Sequence, residues 1–300
     1  MYEFTTAHEL INLCKKKRKA LSEIVILYEM EFSKRERTVI IGKMRKTKNV
    51  MKDAVKRAIE KPEISAFKMA GGSAQKLFKV IRKKKMAMPP VVLKAMAYAV
   101  ATGETNSAMG RIAAFPTAGG AGVVPGVLLA ASEEWKLSEQ KLLSGLFVAS
   151  AVGKIIAENA TLSAAAGGCQ AEVGAAVMMA TAALTEMRGG TPEECFHASA
   201  IAGKSYLGLV CDPLGGLVAV PCIKRNMLGA STSFAASDAA LAGVESFIPF
   251  DEVVQAMKNI SKIMSPKLRE TALGGLAVTK TGLTIRKKLG LPPLKPTEID

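Results

Sequence analysis

Three cysteines stand in glycine- and proline-rich sequence rather than on apolar helix faces. Cys169 lies in Gly-Gly-Cys-Gln-Ala-Glu-Val-Gly, and Cys211 and Cys222 close the two ends of Cys-Asp-Pro-Leu-Gly-Gly-Leu-Val-Ala-Val-Pro-Cys. Structural cysteines usually behave as small buried hydrophobes. Beside Gly and Pro, backbone approaches a ligand closely and side chains converge from loops. Three thiolates with no obvious fourth partner suggest a metal centre with one position open, and an open position allows chemistry. Zinc on three Cys usually recruits a His or a fourth Cys at short spacing, and these loops hold none. An iron–sulfur cluster accepts thiolates at irregular spacing. Cys14 and Cys195 fall on amphipathic helical sequence and read as ordinary core or surface thiols.

The elements around these cysteines read as helices. Between Thr6 and Glu60, Leu10, Leu13, Leu21, Ile24, Leu27 and Tyr28 recur at helical spacing. Ser73 is a plausible N-cap for a helix over 74–81, and Pro89-Pro90 opens another to about Met109. Residues 110–126 read as loop. Pro125 then starts a helix to about Ser132, and 138–156 is apolar enough for a buried helix. An irregular stretch over 159–168 leads to a helix over 170–187. Thr191-Pro192-Glu193-Glu194 has the signature of a helix start, with Thr as N-cap, Pro at the first position and Glu three after the cap. Its helix runs to near Gly208. Further helices are expected over 226–243 and 251–264, and the Pro-rich tail from Leu291 is extended. No strand with clean alternation occurs, so the fold class is all-α. The expected layout is a single helical domain over 1–300, with a basic helical part (1–88), a core carrying the cysteine loops (89–290) and a tail (291–300).

The totals agree with a globular chain. It has 300 residues, 49% of them hydrophobic and only 5% aromatic. Ala- and Met-rich sequence favours packed helices. Gly, Lys and Glu interrupt every apolar run, so none is expected to span a membrane. No signal peptide pattern opens the chain. Five cysteines without a disulfide spacing point to a reducing, cytoplasmic compartment. The net charge of +15 is concentrated before Pro89, in runs such as Lys15–Lys19 and Arg82–Lys85. Such an arm can hold nucleic acid or anionic lipid without specificity. No aromatic interleaving or base-reading motif accompanies it, so a solvated face or a surface for an acidic partner is the better reading.

Motif blocks run in order through most of the chain, from about Gly71 to Gly282. They include Gly71-Gly72-Ser73-Ala74, Asn106-Ser107-Ala108-Met109-Gly110-Arg111-Ile112, Pro116-Thr117-Ala118-Gly119, Glu158-Asn159-Ala160 and Gly168-Cys169-Gln170-Ala171-Glu172-Val173-Gly174. Gly208-Leu209-Val210-Cys211-Asp212-Pro213, Val220-Pro221-Cys222-Ile223-Lys224-Arg225-Asn226 and Leu268-Arg269-Glu270-Thr271 continue them. In these blocks the chain closely resembles the α subunit of iron–sulfur-dependent L-serine dehydratases. The resemblance implies a 4Fe-4S cluster held by Cys169, Cys211 and Cys222, with a fourth iron lacking a protein thiolate. That iron would act as a Lewis acid on the serine hydroxyl. A base removes the Cα proton, water leaves to give aminoacrylate, and tautomerisation and hydrolysis release pyruvate and ammonia. A related lyase acting on L-cysteine or L-threonine is the alternative reading, and a non-enzymatic metal- or nucleic-acid-binding protein a more remote one.

The same resemblance makes Thr117, Ala118 and Gly119 a site for the substrate carboxylate, with Asn159 either touching substrate or holding its loop. Glu172 is expected beside the metal site or in a first-turn helix role. Lys204, Lys224 and Arg225 either offset negative charge at the site or are solvated. Gly120, Ala121, Thr161, Ala164 and Ala219 depart from common family residues at positions that would tune the substrate pocket. The family's Ser-Ser-Ser-His-Thr segment is absent and belongs to a separate β chain in two-subunit members. The base is therefore expected on that partner, with His197 the weak candidate within this chain and no role assigned to His8. Around a cubane the three sulfurs would stand roughly 6–7 Å apart.

Overall fold

The computed structural model describes residues 2–83 and 85–294. Helices α1 (Ala7–Lys17), α2 (Leu21–Ser33) and α3 (Arg37–Glu60) form the basic N-terminal part. Thr6 caps α1 in a capping box with Glu9. From the far end of the sequence, the Asp251 carboxylate accepts the Ala7 and His8 N–H groups at 2.8 and 3.1 Å. Several cations of this part are paired: Arg37 meets Glu23 and Arg57 meets Glu63 within it, and Lys48 and Arg45 both meet Glu139 further along the chain.

Helices α4 (Ser73–Phe78), α5 (Pro90–Ser107), α6 (Val123–Glu134) and α7 (Glu139–Asn159) follow. The first departs from the sequence expectation. Gly72, not Ser73, occupies the N-cap, and the helix stops at Phe78. The orphan N–H groups of Ser73 and Ala74 are taken by the Glu104 carboxylate on α5, at 2.7 and 3.3 Å. Helix α6 begins at Val123, inside the expected loop, because Pro125 in a first turn forfeits no intrahelical bond.

Against the expectation that no segment could span a membrane, α7 is long and apolar enough to do so by length and composition. Yet 67% of its most apolar stretch is buried against the rest of the chain. Its main partner is α9 (Ala175–Met187), which is approached through a short α8 (Ala164–Gly167) and a π-helical turn over Gln170–Gly174. Helix α9 is the centre of the core: α6, α7, α10 (Pro192–Lys204) and α11 (Cys222–Leu241) pack around it. Its many alanines let these neighbours approach closely. Met178 and Leu184 are fully buried, each contributing about 1.5–3 kcal/mol relative to exposure.

The Thr191–Glu194 capping box of α10 is present as expected. Helix α10 ends at Lys204, four residues short of the expected Gly208, and α11 starts at Cys222 rather than Asn226. Helix α12 (Phe250–Ile263) and an unanticipated α13 (Lys280–Lys288), capped by Thr279, complete the chain. Among the described residues there is no sheet, only an isolated parallel bridge between Cys211 and Arg269. The fold is all-α. Of the expected extended tail, residues 291–294 carry no regular structure, and 295–300 lie outside the described residues.

Candidate metal centre

The three cysteines come from three unlike settings. Cys169 follows Gly168 at the break between α8 and the π-helical turn, where Gln170 N–H donates to Leu209 O at 2.9 Å. Cys211 sits in extended backbone. Its N–H donates to Leu268 O and its carbonyl accepts from Glu270 N–H, both at 2.8 Å. Cys222 is the first residue of α11, reached through a cis Val220–Pro221 peptide. All three are buried.

Cys169 is the point on which they converge: Cys211 and Cys222 both lie near enough to act on its thiol, and Arg225 Nη1 lies 3.5 Å from Cys169 Sγ. Hydrogen bonding by these two neighbours, helped by the Arg225 charge, holds Cys169 well below the usual thiol range in spite of its burial. The hydrogen bond to Cys169, then burial and the Cys169 charge, push Cys211 and Cys222 up.

Carboxylates stand beside Cys211. Oxygens of Glu172 and Glu270 and the Cys211 sulfur all lie within 4.8 Å of one another, a group that could hold a metal ion. Burial pushes the Glu172 carboxyl up to about 7, against a hydrogen bond from Thr117, with the negative charges of Glu270 and Cys169 adding to the rise. Burial, then Cys169, likewise raises Glu270, whose backbone takes the left-handed conformation at φ 66°.

The loop carrying Thr117, Ala118 and Gly119 is fixed against this group. A Cβ on Gly119 would stand 2.8 Å from Glu172 Cδ, so a glycine is needed there for the carboxylate to fit. Asn226, one turn into α11, ties the loop to Cys222. Its Oδ1 accepts from Gly122 N–H at 3.0 Å, and its Nδ2 donates to Gly119 O at 2.6 Å and Cys222 O at 2.9 Å. Beyond Ala118 a cleft of about 340 Å³ opens, with Phe67, Met109, Val218 and Ala219 among its lining residues. A larger cleft of about 600 Å³ between α3 and α5 is lined by none of these residues.

With the site in view, the comparison with known proteins is direct. Residues 16–277 match the serine dehydratase alpha chain family. The chain belongs to that family. It is 48% identical over 286 residues to a probable L-serine dehydratase alpha chain of Bacillus subtilis, covering 95% of each. It is 40% identical to the L-serine dehydratase alpha chain of Peptoniphilus asaccharolyticus, over 94% of this chain and 97% of that one. The L-serine dehydratase of Streptomyces coelicolor is 36% identical over 92% of this chain, but the match spans only 61% of that longer protein.

The remaining sequence-predicted residues lie apart from the sulfur trio or serve it indirectly. Asn159 Nδ2 donates to Thr5 O and Ile155 O, at 2.7 and 2.9 Å, joining the N-terminal segment to α7. His197 Nδ1 accepts from Ser246 N–H at 3.2 Å, and Lys204 Nζ donates to Ser246 O at 2.5 Å. Both therefore anchor the loop before α12. Lys224 is exposed, whereas Arg225 turns inward to Cys169. Cys14 and Cys195 are buried, and burial pushes the Cys14 thiol up to about 12. Asn226, Asp212 and Glu270 belong to the site's framework without having been singled out for it. Only their position inside motif blocks hinted at them.

Proposed function

We propose that this chain is the catalytic α subunit of an iron–sulfur-dependent L-serine dehydratase, converting L-serine to pyruvate and ammonia. The observation that carries the proposal is the meeting of Cys169, Cys211 and Cys222 sulfurs from three separate segments, in a member of this family. The donor set fits a 4Fe-4S cluster. It offers three buried sulfurs with a cation beside one of them. When bound, the cluster supplies an iron without a protein thiolate, a Lewis acid for the leaving hydroxyl.

The chain's own residues then orient the substrate. The Thr117–Gly119 loop is proposed to receive the serine carboxylate through its N–H groups and the Thr117 hydroxyl, with Asn226 and Glu172 holding the loop in place. Asn159 gives its amide hydrogens to backbone carbonyls and would reach substrate only through Oδ1.

A separate β chain is proposed to complete the enzyme and bring the base for the Cα proton. Two comparisons support this. The relatives named as alpha chains match end to end, while the longer L-serine dehydratase is covered for only 61% of its length. Within this chain, His197 is engaged with Ser246. The exposed lysines of the N-terminal part suit an acidic face of that partner better than nucleic acid. The proposed compartment is the reducing cytoplasm, where all five cysteines stay free.

Anaerobic iron–sulfide reconstitution with the β chain, followed by a pyruvate assay on L-serine, L-threonine and L-cysteine, tests the proposal. Turnover fastest on L-serine is expected. A fully loaded complex that turns over none of the three would overturn it.

A further inference from the structure

Beside Cys169 lies a largely buried charge relay. Arg225 Nη1 reaches both Cys169 Sγ, at 3.5 Å, and Val210 O, at 2.8 Å. Its Nη2 lies 2.8 Å from Asp212 Oδ1. The Arg225 side chain is 17% exposed and that of Asp212 4%, so water screens this pair poorly. Asp212 is pinned from the other side, where Oδ2 accepts Leu276 N–H at 2.8 Å. The neighbouring Gly275 has φ +56°, and a Cβ there would stand 2.8 Å from Asp212 Cβ. Only a glycine lets the 274–276 backbone close on the carboxylate. The relay thus runs from the C-terminal segment through Asp212 and Arg225 to one sulfur.

Burying a guanidinium is costly unless its partners use its whole fork. Here two of its three nitrogens are engaged: Nη1 serves a sulfur and a carbonyl, and Nη2 stands in ion-pair contact with the Asp212 carboxylate, whose Oδ1 accepts no well-aligned hydrogen bond among the described residues. An arginine side chain keeps its charge at any ordinary pH, so a fixed cation stands beside Cys169. Such an arrangement goes beyond packing, since a plain core contact would not place a fixed cation against a sulfur and then a fixed anion behind the cation.

We infer that Arg225 is a positioning residue for the Cys169 sulfur and that the Arg225–Asp212 pair sets the electrostatic potential, and hence the reduction potential, of the group this sulfur holds. The inference rests on the reading of Cys169 as a cluster ligand. Hydrogen bonds to cluster sulfurs and nearby net charge are principal determinants of iron–sulfur potentials. The two members act with opposite sign. Arg225 favours the more negative, reduced cluster, whereas Asp212 opposes it.

The test uses the full chain, reconstituted anaerobically with iron and sulfide, and reads the one-electron midpoint potential by a mediator titration followed by absorbance and electron paramagnetic resonance. Arg225→Gln is expected to shift the midpoint downward, and Asp212→Asn to shift it upward while keeping an acceptor for Leu276 N–H. A role confined to packing would not move the two in opposite directions. Shifts of the same sign, or no shift in either variant, would overturn the inference. Melting of the unreconstituted proteins reports folding. Should Arg225→Gln fail to fold, Asp212→Asn decides alone, and an unchanged or lowered midpoint overturns the inference. Wild type and Cys169→Ser run in parallel keep the two readings apart. A wild type that loads no cluster, or a Cys169→Ser chain that loads one normally, defeats the cluster assignment itself. Normal loading by wild type only, with unmoved midpoints in the two variants, defeats the relay alone.

Discussion

Replacing Asn226 with Ala should separate the substrate loop from the cysteine centre at a cost that can be estimated. Asn226 is 4% exposed and makes three hydrogen bonds through its amide. The bond to Cys222 O is the least costly to lose, because that carbonyl sits in the first turn of α11 and can accept from the helix itself. The other two leave the buried Gly122 N–H and the Gly119 carbonyl without their partner. An unsatisfied buried group costs about 1–3 kcal/mol, and water reaching the truncated side chain recovers part of it. A loss of about 2–4 kcal/mol follows, or about 4–8 °C in Tm at roughly 2 °C per kcal/mol for a chain of this size. The melt is read on the unreconstituted protein, so it does not depend on cluster loading. In the loaded complex the same variant should raise KM for L-serine more than it lowers kcat, since the loop is assigned to carboxylate binding. A variant melting within about 1 °C of wild type would refute the hydrogen-bond reasoning, because the cost of orphaned groups cannot fall that low.

Four further outcomes are expected. Gly119→Ala should cut kcat/KM for L-serine at least about tenfold, because its Cβ displaces the Glu172 carboxylate; steady-state kinetics at wild-type level would count against the fit described. Cys211→Ser should lose cluster absorbance and turnover together, and a variant that keeps full lyase activity would remove Cys211 from the ligand set. The reconstituted α chain alone should be nearly inactive and gain activity on adding the β chain; full turnover by the α chain alone would place the base here and make His197 the first residue to replace. Glu186→Gln should become progressively more stable than wild type as pH rises above 4.5. Burial raises the Glu186 carboxyl above that value, so the folded state holds a proton the unfolded chain has released, and wild-type stability falls with rising pH through that window. Melting both proteins between pH 4 and 8 checks the sign, and a difference that is flat or shrinks contradicts it.

What could be read from the sequence, and what could not, divides by the distance over which each signal acts. The capping box Thr191–Glu194 closes within one turn, and both of its bonds are present. Ser73 also reads locally as a cap, yet Gly72 takes that place and the Glu104 carboxylate, 31 residues away on a packed neighbour, accepts the Ser73 and Ala74 N–H groups, so the helix start is set from a distance. Turn chemistry marked the cysteines, since Gly and Pro act locally. The residues that hold them were less visible. Asn226 looks like any polar helix residue until the fold brings Gly119 and Gly122 to it across more than a hundred positions. Arg225 was legible as a charge near a cysteine, but its direction was not.

Cys211 makes the physical point most sharply. It has no helix of its own, and both of its backbone hydrogen bonds go to the 268–270 segment. Asp212, the next residue, bonds to Leu276. The stretch from Leu268 to Leu276 therefore sets where one sulfur and one buried carboxylate stand, although it contains no cysteine and sits more than fifty residues further along the chain. Glu270, in the same stretch, holds its side chain near Cys211 from a left-handed backbone that costs a non-glycine residue of order 1–3 kcal/mol. A chain that keeps such a conformation beside a sulfur is held there by its surroundings, here by the paired backbone on either side of Arg269. The segment after α12 is thus as much a part of the candidate metal centre as the cysteine loops, and substitutions in it should act on the sulfurs through Cys211 and Asp212 before they act on the fold.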